Sequence, residues 1–180
     1  MEDPMRLARE WLASYDKPPM TLSTFGPDGY PDARTVLLSG VDGGSVQFHT
    51  DARSRKAAQL AADPRASAVV LLNGRQIVLV GDVEPLDAPH GAYGLRTRYL
   101  QVLAWVNTDE LAARPPDVRR EAWKRFEEEH PDALEPPPTW AGYRLRPRRM
   151  TFWTADDAGP STRVEYVRHG AGWTARALAG

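Results

Sequence analysis

Two hydrophobic periods alternate along the chain and divide it into predicted strands and helices. Alternating apolar and polar positions predict three strands in the first third of the chain, "MTLSTF", "ARTVLLSG" and "VQFHT", joined by the turns "GPDGYP" and "GVDGGS". The nearly continuous apolar runs "RASAVVLLN" and "RQIVLVGDVEPL" predict two more strands around a tight "LNGR" turn, and such runs are typical of strands covered on both faces. Three further strands are predicted near the C-terminus, "WAGYRLRPRRMTFW", "TRVEYVRHG" and "GWTARAL".

A period near 3.6 residues predicts the helices. Residues 4–14 form an amphipathic pattern, "SRKAAQLAADP" a short helix that stops near Pro64, residues 87–103 a helix-like segment and residues 117–130 a strongly charged helix. Short connections and alternating strands favour an α+β fold that is mainly β, an antiparallel barrel with helices at its rim. We expect one domain over residues 1–180, with an N-terminal helix in 1–16 and a helical insertion over 87–135.

Composition narrows the possible functions. The 23 basic and 24 acidic residues give a net charge of -1, which leaves no broad basic surface for nucleic acid or membrane. The chain has no cysteine, which excludes disulfides, thiolate metal sites and a cysteine nucleophile. The N-terminal segment has no long apolar run, so it predicts neither a signal peptide nor a membrane span, and we expect a cytoplasmic protein.

A basic triplet, Arg53, Arg55 and Lys56, falls where the second helix begins, with Ser54 placed to cap that helix. Cations at a helix N-terminus are unfavourable because the helix dipole is positive there. One interpretation is an anion site, in which backbone N–H groups and two cations bind a phosphate. The other is a solvated face whose long side chains reach water. The triplet alone does not decide between them.

Other candidate residues are individually weak. Arg34 and Gln76 each stand near the head of an apolar strand, where a solvent-facing role is the simpler interpretation. His49, His90, His130 and His169 lack metal-ligand spacing, so no metal site is predicted, and no GxSxG, P-loop or GxGxxG motif occurs. Trp105 and Trp153 stand beside polar residues and could stack on a flat ligand, or could pack at a barrel end or subunit interface.

Taken in order, these segments resemble the pyridoxamine 5'-phosphate oxidase family. The resemblance is carried by "RTVLLS", "VQFHT", "SRKAAQLAADPRAS", "RQIVLVGDVEPL", "LAWV", "PPTWAGYRLRPRRMTFW" and the terminal "GWTARALAG", from about residue 17 to the end. It implies an FMN-binding split β-barrel that forms a homodimer, with each FMN held at the interface by both subunits.

The resemblance also implies a set of cofactor-binding residues. Arg34, Thr35, Val36, Leu37 and Leu38 match the strand along the flavin, with Arg34 reaching the ribityl phosphate. The remaining matches are His49 and Thr50 beside the flavin, Arg55 and Lys56 at the phosphate, Gln76 from the second subunit, and Trp153 and Arg163. The match departs at Asp109 and Glu110, where the family has a Gln-Ser pair, and this weakens one cofactor contact.

The substrate positions match poorly. Ser39 replaces the family's lysine, Arg96 survives, and Leu100, Gly159 and Ser161 replace polar or charged groups of the phosphate clamp. The family's tyrosine falls on Ala92, or on Tyr93 if the alignment slips by one residue. Each charge-assisted hydrogen bond contributes roughly 1.5–3 kcal/mol, so losing most of this clamp weakens binding of a phosphorylated pyridoxine by orders of magnitude.

The resemblance therefore predicts an FMN-dependent oxidase. Hydride would pass from the substrate to the flavin and O2 would reoxidise it, on a non-phosphorylated or specialised-metabolism substrate. No side chain is assigned as an essential catalytic base, since the flavin does the chemistry. The alternatives are a genuine pyridoxamine phosphate oxidase with a relocated clamp (Arg96, Arg98 and Arg148 are spare cations), a flavin reductase or dehydrogenase, and a non-catalytic flavin-binding protein.

Overall fold

Eight antiparallel strands form the body of the protein in a computed structural model that describes residues 3–87 and 91–179. Every predicted strand is confirmed. The strands are β1 (Pro19–Phe25), β2 (Pro31–Asp42), β3 (Ser45–Asp51), β4 (Arg65–Leu72), β5 (Arg75–Pro85), β6 (Trp140–Thr154), β7 (Thr162–His169) and β8 (Gly172–Leu178).

Six helices lie in the same described residues: α1 (Pro4–Leu12), α2 (Arg55–Ala62), α3 (Gly91–Gly94), α4 (Arg98–Val106), α5 (Asp109–Ala112) and α6 (Pro116–Glu129). The prediction of one helix over 87–103 was wrong, because α3 ends at Gly94 and α4 begins afresh at Arg98. Thr97 caps α4 by accepting a hydrogen bond from the Leu100 N–H, which favours a new start there. Residues 88–90 of that predicted helix, which include His90, lie outside the described residues, and α5 was not predicted.

The sheet order β3-β2-β1-β4-β5-β6-β7-β8, with β3 also paired to β6, closes six strands into a barrel. Strand β6 pairs with a different strand in each half: residues 140–145 pair with β3, whereas residues 149–154 pair with β7. Between these halves, the β5–β6 register shifts at Val80/Gly81. A Cβ at Gly81 would lie 2.0 Å from the Arg146 carbonyl oxygen, so this close approach admits only glycine. The arrangement confirms the expected split β-barrel.

The barrel interior is filled by alternate strand residues, among them Met20, Leu22, Phe48, Ile77 and Phe152, all almost completely buried. Burying each such side chain contributes roughly 1.5–3 kcal/mol. Helix α1 adds Met5, Ala8 and Leu12 to this core, and Trp11 meets Phe152 edge to face at 5.1 Å between ring centroids.

Helices α4 and α6 pack through aromatic pairs beside the barrel. The rings of Tyr99 and Trp123 lie 5.0 Å apart, and those of Trp105 and Phe126 lie 6.2 Å apart. The Trp105 Nε1–H donates to the Glu135 carbonyl oxygen at 3.0 Å, so this residue packs the helical segment. Among residues 3–87 and 91–179, no helix has both the length and the apolar character to cross a membrane.

Candidate functional site

A cavity of about 490 Å³ lies among the end of β3, the start of α2, helices α4 and α5, and the start of β6. Six of the predicted site residues line this cavity: His49, Thr50, Arg55, Lys56, Arg96 and Leu100. Basic residues gather at the α2 side, whereas Trp140, Leu100 and Leu103 add an apolar surface. The cavity therefore has a cationic part and an apolar aromatic part.

The cationic part is built on the first turn of α2. Ser54 occupies the N-cap position, but the expectation that its hydroxyl caps the helix was wrong, since the Ser54 side chain makes no capping hydrogen bond. Within the described chain, Ser54 Oγ is the one fully buried side-chain oxygen or nitrogen without a hydrogen-bond partner. No acidic residue occupies the first turn of α2. An anion there would satisfy the hydroxyl and the helix dipole together.

Two cations flank that turn. Lys56 Nζ donates to Thr50 Oγ1 at 2.9 Å, and burial together with the Arg34 charge lowers the pKa of Lys56. Arg55 is largely exposed and pairs through Nε with Asp32 Oδ2 at 2.9 Å. Both side chains keep further N–H groups that can bind a phosphate.

Arg34 does not line the cavity. Its Nη1 donates to the Leu22 carbonyl at 3.3 Å and to Thr24 Oγ1 at 2.6 Å, and its Nη2 donates to Gln59 Oε1 at 2.8 Å. Nη2 also pairs with Asp32 Oδ2 at 3.0 Å, so four of its five N–H groups are directed at the protein. Arg34 thus holds α2 against β1 and β2, and Nε is the group that makes no hydrogen bond to the described residues.

Sequence reasoning missed the polar residues of this network. Thr24 had a usable signal, because Met20 and Leu22 alternate with polar residues and place Thr24 on the inner face of β1. Gln59 and Asp32 had none, since each depends on a contact across more than 20 residues of chain.

The aromatic part of the cavity centres on Trp140. The His49 ring stacks on Trp140 at 5.2 Å between centroids, and the Arg96 guanidinium lies 5.0 Å from the Trp140 ring centroid. Ser39 joins these groups, because its Oγ lies 2.9 Å from His49 Nδ1 and accepts from Arg96 Nη2 at 3.4 Å. Burial first, and the Arg96 charge second, lower the pKa of His49 to about 4, so its imidazole is neutral at physiological pH.

The other predicted substrate residues are dispersed. Gly159 and Ser161 lie in the connection between β6 and β7, off the cavity wall. Arg98 donates to the His130 and Asp132 carbonyls, and Arg148 lies 4.0 Å from Asp82, so neither spare cation faces the cavity. Arg96 is therefore the cation nearest to the aromatic part among the residues predicted for substrate.

Strand β2 presents its predicted residues on two faces. Val36 and Leu38 are buried in the core, whereas Thr35 and Leu37 lie on the outer face of the barrel. This alternation follows from the two-residue period of a strand.

Gln76, Trp153 and Arg163 form a row across three strands. Gln76 lies opposite Trp153 in the β5–β6 register, and Trp153 lies opposite Arg163 in the β6–β7 register. Their neighbours Ile77 and Phe152 point into the core, so the row faces outward. None of the three residues lines the cavity of its own chain.

Arg53 is tied to neighbouring carboxylates. It pairs with Asp51 at 2.8 Å, and this pair, with smaller contributions from Glu110 and Asp109, raises the pKa of Arg53. Asp109 and Glu110 themselves start α5 and lie on the cavity wall. In the described part of the chain, no cluster of three or more His, Asp or Glu side chains is arranged to hold a metal ion.

Comparison with known proteins identifies the family. Residues 7–130 match the family model described as pyridoxamine 5'-phosphate oxidase, and residues 140–180 match the pyridoxine 5'-phosphate oxidase C-terminal dimerisation region. The chain belongs to the pyridoxamine 5'-phosphate oxidase family. It is thus a member of an oxidoreductase family, and its last three strands carry the family's dimerisation region.

Curated relatives in this family cover most of the chain. The pyridoxine/pyridoxamine 5'-phosphate oxidase of Ralstonia pickettii is 34% identical over 98% of this chain and 88% of its own. That of Rubrobacter xylanophilus is 33% identical over 95% of this chain and 84% of its own.

Solved structures share this fold. PhzG from Burkholderia lata 383, in complex with tetrahydrophenazine-1-carboxylic acid, superposes with a TM-score of 0.87 and 26% identity, covering 100% of this chain and 94% of PhzG. A pyridoxamine 5'-phosphate oxidase-related, FMN-binding protein from Nostoc punctiforme has the same fold, with a TM-score of 0.70, 23% identity and complete coverage of both chains.

Proposed function

We propose that this protein is an FMN-dependent oxidase whose substrate is a planar molecule without a phosphate group. The observation that carries this proposal is that the cationic side chains lining the cavity are unevenly distributed between its two parts. Arg55 and Lys56 flank the start of α2, whereas the aromatic part around Trp140 is served by Arg96. One phosphate can be bound well, and that phosphate belongs to the cofactor.

The residues present fit FMN. The buried Ser54 hydroxyl, the N–H groups of the first turn of α2, Arg55 and Lys56 supply donors for the phosphate. The outward-facing β2 residues Thr35 and Leu37, together with His49 and Thr50, would lie along the flavin, whereas the side chains of Val36 and Leu38 are buried in the barrel core. Bound FMN would supply the redox chemistry, accepting a hydride from the substrate and passing two electrons to O2 to give hydrogen peroxide.

A second protomer would complete the site. Gln76, Trp153 and Arg163 face outward in one row, and the dimerisation region covers β6, β7 and β8. This supports a homodimer in which the row of one protomer reaches the flavin held by the other.

The substrate part favours a planar ligand with at most one anionic group. Trp140 offers a ring already stacked with His49, and Leu100 and Leu103 provide apolar contacts. Arg96 donates to Ser39 Oγ, and its remaining N–H groups can bind one carboxylate or carbonyl. The carboxylic acid bound to PhzG supports this substrate class.

The chain's own groups orient the substrate and set the local charge. Ser39 Oγ accepts from Arg96 Nη2, lies 2.9 Å from His49 Nδ1, and lies 3.5 Å from the Leu37 carbonyl, to which it can also donate. We propose the tautomer in which the Ser39 hydroxyl donates to Nδ1 of His49 and the imidazole proton is on Nε2. A neutral imidazole can donate this Nε2–H to a substrate oxygen without adding a charge to the cavity.

A genuine pyridoxamine phosphate oxidase is the second candidate, favoured by the names of relatives 33–34% identical to this chain. Against it, Ser39 and Leu100 occupy clamp positions, and Arg98 and Arg148 are turned away from the cavity. Turnover of pyridoxamine phosphate at rates comparable to a planar carboxylate would restore this candidate.

The test is made on the purified full-length protein. We expect a yellow protein with one FMN per chain, shown by the visible spectrum and by mass analysis of the released cofactor. Hydrogen peroxide release is then measured with pyridoxamine phosphate and with a panel of reduced aromatic carboxylates. A colourless protein that takes up no FMN contradicts every flavin function. Slow reoxidation in air after anaerobic photoreduction contradicts the oxidase and favours a reductase or dehydrogenase, whereas FMN binding without any turnover favours a binding protein.

A further inference from the structure

Asp32 places a carboxylate inside the cationic cluster. Its Oδ2 accepts from Gln59 Nε2 at 3.0 Å and pairs with Arg34 Nη2 at 3.0 Å and with Arg55 Nε at 2.9 Å. Arg55, a cation assigned to the FMN phosphate, is therefore joined to Arg34 through one oxygen atom that belongs to the protein.

The charges around this oxygen are closely packed. Arg34, Arg55 and Lys56 come from β2 and the first turn of α2, and the charge of Arg34 helps to lower the pKa of Lys56. Three carboxylates line the cavity, Asp51, Asp109 and Glu110; all three act on Arg53, and Asp51 also acts on Lys56. Asp32 thus reduces the charge of the three-cation cluster from +3 to +2.

We propose that Asp32 determines how tightly this site binds a phosphate dianion. Its carboxylate stabilises the folded chain by neutralising part of the cluster, and for the same reason it weakens the attraction of the cluster for phosphate. This inference rests on the proposed FMN function and assigns to Asp32 a role that is separate from the chemistry.

Two physical effects act in the same direction. The Asp32 carboxylate would repel a dianion bound by Arg55, and it also occupies the Arg55 Nε–H. Replacing Asp32 by Asn removes the charge but keeps an oxygen of the same size that can accept from Gln59 or the arginines. Since one unit charge acts on a doubly charged ligand in a partly solvated site, we expect FMN affinity to rise roughly tenfold.

The experiment compares wild-type protein, Asp32→Asn and Asp63→Asn after removal of bound flavin. Asp63 is the matched control, because its side chain is 25% exposed, like that of Asp32, and pairs with Arg65 at 2.5 Å beyond the other end of α2. Dissociation constants for FMN and riboflavin are measured by fluorescence, and the melting temperature is measured with and without FMN.

We expect Asp32→Asn to bind FMN about tenfold more tightly, to bind riboflavin within about twofold of wild type, and to melt at a lower temperature without flavin. Asp63→Asn should leave the FMN affinity unchanged. Equal or weaker FMN binding by Asp32→Asn overturns the inference, since Asp32 would then merely orient Arg55. If wild-type protein binds no FMN, the proposed function is overturned together with the inference. If wild-type protein binds FMN and Asp32→Asn binds it no more tightly, the inference alone is overturned.

A second comparison covers the case in which Asp32→Asn does not fold. The double variant Asp32→Asn with Arg55→Gln has the wild-type charge balance and is compared with Arg55→Gln alone. The inference predicts tighter FMN binding by the double variant, and equal affinity of the two proteins overturns it.

Discussion

Nδ1 of His49 lies 2.9 Å from the hydroxyl oxygen of Ser39, which places Ser39 directly behind a residue that lines the cavity. The resemblance places Ser39 at the position of the family's lysine, and in this chain the Ser39 hydroxyl accepts from Arg96 and lies beside a neutral imidazole. The substrate side of the cavity therefore has fewer charges than the cofactor side.

The first prediction concerns the stability of the protein in acid. The pKa of His49 in the folded protein is about 4, below the 6.5 of a solvated imidazole, so between these pH values the unfolded chain binds the proton more readily than the folded one. The contribution of His49 to stability is complete above about pH 6.5 and is lost as the pH falls toward 4. We expect it to cost about 2 kcal/mol of unfolding free energy between about pH 7.5 and 5.

Urea unfolding at these two pH values measures this effect. His49→Phe keeps a ring against Trp140 and removes the titrating group, so its loss of stability on acidification should be smaller by about 2 kcal/mol. His169→Gln changes an exposed histidine at the end of β7 and serves as the control. Identical acid sensitivity of His49→Phe and wild type would contradict the account.

The second prediction concerns the basic triplet. Arg55→Ala and Lys56→Ala should each weaken FMN binding by about 10- to 100-fold, because each removes a charge-assisted bond worth roughly 1.5–3 kcal/mol. Arg53→Ala should change the affinity by less than about threefold, because Arg53 is held by Asp51. Fluorescence titration with FMN gives the three constants, and size-exclusion chromatography should show that the dimer persists. Equal effects at all three positions would argue for general electrostatic attraction and against a defined phosphate site.

The sequence predicted the residues at the phosphate end of the cavity better than it predicted the hydrogen-bond network behind them. The resemblance to the family grouped His49, Thr50, Arg55 and Lys56 as cofactor-binding residues, and all four line the same cavity. The orientation of Arg34 could not be predicted, because its guanidinium is directed by Thr24 and Gln59 through contacts between distant parts of the chain.

The break between α3 and α4 also escaped sequence analysis. The apolar positions of residues 87–103 continue through the break with helical spacing, so the pattern alone does not show it. In the structure, Thr97 caps a new helix that begins at Arg98. Gly159 and Ser161 were assigned to the substrate site by the resemblance alone, and neither residue lines the cavity.

The third prediction tests whether two protomers share each flavin. Arg163→Ala should weaken FMN binding although Arg163 lies off the cavity of its own chain. When Arg163→Ala protomers are mixed with Lys56→Ala protomers, each mixed dimer regains one intact site and one doubly impaired site. We expect about half of the sites in mixed dimers to bind FMN with wild-type affinity. Failure of mixing to restore any tight site would contradict shared sites.

The fourth prediction concerns the bend in the barrel. Gly81→Ala should lower the unfolding free energy by about 3 kcal/mol or more, because the added Cβ meets the Arg146 carbonyl at 2.0 Å and β6 must move. Gly91→Ala is the control, since a Cβ there meets nothing within 4 Å. Urea unfolding gives both values, and a Gly81→Ala protein as stable as wild type would show that the β5–β6 approach is not required.

The central claim is that the protein binds FMN but has lost the clamp for a phosphorylated substrate. The most direct measurement is a titration of the FMN-loaded protein with pyridoxal 5'-phosphate, followed by the flavin absorbance. Losing three charge-assisted bonds costs roughly 5–9 kcal/mol, so we predict no saturation below about 1 mM. Saturation in the low micromolar range, with one ligand per FMN, would contradict the claim.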